Sequence, residues 1–128
     1  MAPSPRQYSQ QLVHFLRKSI VFGNDGTAVT VGAIPANSLI IKPMSGVHVT
    51  TAFNGATTNT VDIGTATSTN LWATALSLTA TTFAALNQSV AGFLVTSDTI
   101  IQAAVTATAT STAGAAIVEI AYLPNIDG

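Results

Sequence analysis

The sequence predicts an all-β chain, a single-domain β-sandwich of jelly-roll type, and three observations carry that expectation. Apolar and polar residues alternate at period two, as where Val47, Val49, Thr51 and Phe53 are interleaved with His48, Thr50 and Ala52. Turn signals such as Asp25-Gly26, Asn54-Gly55 and Ala113-Gly114 punctuate the chain at short intervals. About eight such segments fit into 128 residues, the number that two jelly-roll sheets require. A chain of that length is one domain, expected to divide into a basic N-terminal arm or short helix, 1–18, and a sandwich, 19–128.

The first segment admits two readings. Ser4-Pro5-Arg6-Gln7 has the form of a helix cap, with Tyr8, Leu12, Phe15 and Leu16 following on one helical face. Alternatively, Leu12 to Phe22 is an extended β arm. Both readings place a strand from about Arg17 to Phe22. Asn24-Asp25-Gly26 is expected to close a hairpin onto Thr27 to Ala33, because Asp-Gly favours the positive backbone angles of a tight turn. Pro35-Ala36-Asn37 turns the chain into Ser38 to Lys42 and then Val47 to Phe53. Pro43 and Gly46 interrupt that pair, and since proline donates nothing to a ladder, the break belongs at an edge or bulge.

After Asn54-Gly55 comes a strand over Thr60 to Ile63, then a Thr/Ser/Ala loop leading to Trp72. Ala75 to Thr81 reads as a strand and Thr82 to Gln88 as a loop or helical turn. Val90 to Thr96 and Thr99 to Thr110 read as a hairpin about Ser97-Asp98. The last strand, Ala115 to Leu123, puts Val118, Ile120 and Tyr122 on one face and Glu119 on the other, and Pro124 ends it.

Composition narrows the function. Asp, Glu, Lys and Arg together make up 7% of the chain, against about a quarter in an ordinary soluble domain. Thr, Ser and Asn supply the polarity instead. Small neutral side chains desolvate cheaply and pack closely, which suits a subunit covered by its neighbours. No apolar run approaches the roughly 18 residues of a membrane helix, and no signal-peptide pattern follows Met1. Cysteine is absent, which removes disulfides, thiolate metal sites and thiol nucleophiles.

The net charge of −1 hides an asymmetry. Arg6, Arg17 and Lys18 stand in the first 18 positions, and Lys42 faces Asp25, Asp62, Asp98, Glu119 and Asp127 in the rest. Three basic residues do not make the dense stripe of a nucleic-acid binder. They suit a salt-sensitive contact with an acidic protein surface, or an ordinary solvated segment.

Nothing in the sequence organises catalysis. His14 and His48 lack the spacing of a zinc pair, and His48 belongs on a solvent or interface face. Asp62 and Asp98 read as turn carboxylates bonded to backbone amides. The acids form no calcium loop and the glycines no phosphate cradle. No catalytic residue, metal or cofactor is expected, nor a small-molecule substrate. Interface anchors are the better use of the aromatic residues. The candidates are Arg6, Tyr8, Leu12, Phe15, Arg17 and Lys18 of the N-terminal segment, with Trp72 either an anchor or a core residue closing one end of the sandwich.

Three segments, taken in order, add family information: Ile34-Pro35-Ala36-Asn37-Ser38-Leu39-Ile40, then Val49-Thr50-Thr51-Ala52-Phe53-Asn54-Gly55, then Thr60-Val61-Asp62-Ile63-Gly64-Thr65. The series resembles small virion structural proteins of tailed bacteriophages, of the capsid decoration, or cement, type. It covers roughly Ser19 to Thr65, and the C-terminal half shares only its Ala/Thr-rich β character. The resemblance implies a non-enzymatic component on the outer surface of the phage head, made in the host cytoplasm. Its partners would be the major capsid protein and copies of itself, as a homodimer or homotrimer. A tail, baseplate or fibre-associated subunit is the alternative, and a carbohydrate-binding, adhesin-like sandwich a further one. Removal of the first 15 residues is expected to abolish capsid attachment and leave the β fold intact.

Overall fold

Alternating burial along the strands builds two antiparallel sheets in the computed structural model, which describes residues 12–89, 93–108 and 110–124. The described strands are β1 (His14–Val21), β2 (Ala28–Ile34), β3 (Leu39–Ile40), β4 (Gly46–Thr51), β5 (Asn59–Gly64), β6 (Ala73–Ser77), β7 (Phe83–Ala85), β8 (Thr99–Ala107) and β9 (Ala115–Leu123). One sheet runs β1-β9-β4-β7, with β3 continuing the line of β4 along β9; the other runs β2-β8-β5-β6. Apart from the β5–β6 pair and the broken β3–β4 line, each connection passes from one sheet to the other. That order is the jelly roll.

The core lies between the sheets. Ile20, Val47, Val49, Val118 and Ile120 from the first face Val31, Val61, Ile63, Ile101 and Val105 from the second, all buried. In β8 the buried positions are Ile101, Ala103, Val105 and Ala107, so period two holds along the strand and its alanines leave room for the opposite sheet.

The structure departs from sequence expectation in several places, each decided by a distant partner. β1 begins at His14, so residues 14–18 are extended, not helical. Eight consecutive residues pair with β9, from His14 opposite Tyr122 to Val21 opposite Ala115. The capping box, Arg6 and Tyr8 lie outside the described residues. Asn24-Asp25-Gly26 makes no hairpin, because β1 and β2 belong to different sheets. Phe22–Asn24 forms a 3-10 turn, with Asn24 Oδ1 accepting the Val21 N–H (2.7 Å) and Asp25 Oδ1 accepting the Ala107 N–H (3.0 Å). Gly26 supplies the positive φ of 77° that Asp-Gly signalled, but at a corner between sheets.

The hairpin about Ser97-Asp98 is also absent. Phe93 to Thr96 contributes an isolated bridge, Leu94 to Leu39, while β8 runs between β2 and β5. Asp98 Oδ1 instead accepts the Ala36 N–H at 2.9 Å, tying that corner to the Pro35 turn. Thr82 to Gln88 contains a strand, β7, held by β4.

The Pro43 break is a bulge. Lys42–Met44 forms a 3-10 turn between β3 and β4, and Ser45 repairs the ladder with its side chain. Its hydroxyl donates to the Ile41 carbonyl (2.8 Å) and accepts the Ala121 N–H (2.9 Å), while the Ile41 N–H donates to the Ala121 carbonyl (2.8 Å). A buried polar residue is fully used there.

Candidate interaction surface

Register decides what the outer face of the β1-β9-β4-β7 sheet carries. Even-numbered residues of β9 point to the core, as Ala116, Val118 and Ile120 show by their burial, so Ala115, Ile117, Glu119 and Ala121 point outward. Their partners in β1 are Val21, Ser19, Arg17 and Phe15. From β4 and β7 come Gly46, His48, Phe83 and Ala85.

A line of charge crosses this face. Glu119 lies between Arg17 (Nε to Oε1, 3.5 Å) and His48 (Nε2 to Oε2, 3.9 Å). His48 also lies against Phe83, ring centroids 4.6 Å apart. Around the line stand exposed apolar side chains: Phe15 at 47% and Val21 at 43%, with Phe83 at 37%. A shallow depression of about 290 Å³ lies against the middle of β1, lined by Arg17, Lys18, Ser19 and Ile117. Beyond the start of the strand, Leu12 is 57% exposed.

Of the residues singled out from sequence, Phe15 and Arg17 come together on this face, two positions apart on one strand. Lys18 projects from the same strand on the opposite side and remains exposed. Trp72 does not join them. It is 0% exposed, and its backbone N–H donates to the Ile63 carbonyl (2.9 Å). A fully buried indole has no surface to offer a partner, so Trp72 is a core residue and its reading as an interface anchor is corrected. A ring of that size in a polar loop finds its largest gain in the interior.

Sequence reasoning missed His48, Glu119, Val21 and Phe83 as members of one surface. Alternation in β1 could have paired Val21 with Phe15 and Arg17. The meeting of Arg17 with Glu119 depends on strands from opposite ends of the chain, which no local pattern encodes.

The remaining titratable groups serve the scaffold. Asp62 Oδ1 accepts the Ala75 N–H at 2.7 Å, and His14 stacks on Tyr122 at 5.6 Å between centroids. The two histidines sit on different rows of the sheet, opposite Tyr122 and Ile117. Among the described residues no three His, Asp or Glu side chains converge as metal ligands, and no helix is long and apolar enough to cross a membrane.

With its strand order in view, the chain falls among the jelly-roll proteins. No family model matches it, and no curated protein does. Among solved structures it is similar to a chain of the cyanophage Pam1 capsid asymmetric unit. The TM-score is 0.69 and the identity 21%, over 97% of this chain and 93% of that one. The likeness is one of fold, and it runs the length of both chains.

Proposed function

We propose that the chain is a non-enzymatic virion structural protein of a tailed bacteriophage, a cement protein that binds the outside of the head. The observation carrying this reading is the end-to-end fold match with a chain of a phage capsid asymmetric unit. The two shares of alignment make the chains nearly equal in length, so one jelly roll accounts for both. The sequence resemblance between Ser19 and Thr65 points the same way, as does a composition with 7% charged residues.

The physics of such a role is simple. A cement protein adds buried area between shell subunits that resist pressure from packed DNA. A contact of about 1,000 Å² suffices for specificity, and repetition over a lattice turns moderate contacts into large avidity. The partners are the major capsid protein and further copies of this chain, as a dimer or trimer. The face bearing Phe15, Arg17, Val21, His48 and Glu119 and the segment preceding β1, with Arg6, Tyr8 and Leu12, form the attachment region.

The test is to mix purified protein with phage shells assembled without it and sediment them. The protein is expected to travel with the shells and to raise the temperature at which DNA escapes. Protein that remains in the supernatant, or that electron microscopy finds on tails, overturns the head reading. Because β1 starts at His14, the truncation that isolates the arm ends at Val13. It is expected to abolish sedimentation with shells while leaving the far-ultraviolet circular dichroism of the sandwich unchanged.

A further inference from the structure

A two-sheet sandwich has four edges, and three of these are blunted. β7 is three residues long, β2 has a register shift between Thr30 and Gly32, and β6 faces a shift in β5 between Val61 and Ile63, where Ala75 adopts φ 51°. Short strands and irregularities are how proteins keep sheet edges from recruiting other chains. β1 differs: it is eight residues long and pairs with β9 without one shift.

The free side of β1 can be assigned. The Phe22 N–H donates to the Gly114 carbonyl (3.2 Å), and those residues continue the β1–β9 register. Bonded and non-bonded pairs alternate in an antiparallel ladder. Even-numbered residues of β1 therefore bond to β9, and the N–H and C=O groups of Phe15, Arg17, Ser19 and Val21 point away from it. Asn24 takes the Val21 N–H. The amides and carbonyls of Phe15, Arg17 and Ser19 have no partner among the described residues, beside the depression at mid-strand.

Charge selects the occupant. If β1 paired with a second β1 about a two-fold axis through its centre, Arg17 would oppose Arg17 or Lys18 would oppose Lys18, and like charges directly opposite destabilise a pair. The other edge strands, AVTVGAI, ATALS and FAA, contain no acid. Asp25, Asp62 and Asp98 already hold backbone amides, and Glu119 lies in a central strand. Among the described residues, no edge strand carries an acid to offer another copy; Asp127 lies outside them.

We propose that the free edge of β1 captures an extended, acidic segment of the shell protein as an added strand. Main-chain bonds to Phe15, Arg17 and Ser19 supply the grip, Arg17 on one face and Lys18 on the other select carboxylates, and Phe15 packs beside Arg17. This inference rests on the head-binding role above and names the element that performs it.

Proline is tolerated on an edge strand where the N–H it removes faces solvent, so Ser19→Pro spares the bonds to β9 and blocks strand addition. The variant is first shown to be folded by circular dichroism, then mixed with shells assembled without this protein. The expected result is retention weakened about tenfold or more, with wild-type retention falling as salt rises. Hydrogen exchange of the wild-type protein gives a second reading that needs no variant. On shells, the amides of Phe15, Arg17 and Ser19 become protected, while those of Leu16, Lys18 and Ile20 are protected throughout. If wild type binds shells and folded Ser19→Pro binds equally well, or the three amides stay unprotected, the edge proposal is overturned and the head-binding role stands. If Ser19→Pro changes only the oligomer size of the free protein, the edge joins copies and the proposal is likewise overturned. If wild type fails to bind shells, both readings fall together.

Discussion

Ser38 and Ser45 are both 0% exposed, and they meet opposite fates. Ser45 satisfies Ile41 and Ala121 across the bulge, whereas Ser38 Oγ meets no hydrogen-bond partner among the described residues. Removing one member of a buried bond strands the other, at a cost of about 1–3 kcal/mol, while removing an unpartnered hydroxyl relieves a desolvation cost. Ser45→Ala is therefore expected to lose about 1–3 kcal/mol in urea unfolding. Ser38→Ala, the same change at the same burial, is expected to be neutral or stabilising. Equal losses in the two would show that burial alone, without the bond, sets the cost. Nothing local in the sequence separates these serines, because the distinction lies in Ala121, a residue of the last strand.

At the scale of elements, close approach matters as much as pairing. A Cβ on Gly46 would meet the Ala84 carbonyl oxygen and the Ala85 Cα at 2.8 Å, so β7 lies against β4 only because position 46 carries no side chain. Gly46→Ala is expected to push β7 outward and cost about 1–3 kcal/mol, read as a lower urea midpoint together with faster exchange of the Val49 amide, which donates to Thr82. Strands β4, β5, β8 and β9 were legible in the sequence, because one buried face imposes alternation. β7 was not, since three residues offer too short a pattern. The two expected hairpins failed for a different reason. Asp25-Gly26 and Ser97-Asp98 do mark changes of direction, but a turn signal carries no information about which sheet the next strand joins. For Asp25-Gly26 that choice is made by β9 and β8, and for Ser97-Asp98 by β2 and β5, in each case strands far away in the chain. Of the candidate surface, Phe15, Arg17 and Lys18 could be read from one end of the sequence, but Glu119 and His48 join Arg17 only through the β1-β9-β4 register.

For the molecule as a whole, the order β1-β9-β4-β7 means that the first described strand cannot pair until the last exists. Loop closure on that scale must precede most native contacts, and folds dominated by such pairings reach the native state in milliseconds to seconds. Stopped-flow refolding is expected to show a main phase in that range. A microsecond phase carrying most of the amplitude would mean that a local nucleus outweighs the β1–β9 closure. The same architecture explains how 128 residues with little charge remain a defined body. Two faces of alternating aliphatic side chains fix the interior, and carboxylates at Asp25, Asp62 and Asp98 are spent on backbone amides at strand ends and bulges.

The antiparallel union of β1 with β9 sets His14 opposite Tyr122, so the entry to the sandwich and its exit open side by side at one pole. A passenger peptide spliced after Pro124 would therefore emerge beside the start of β1, at the same pole.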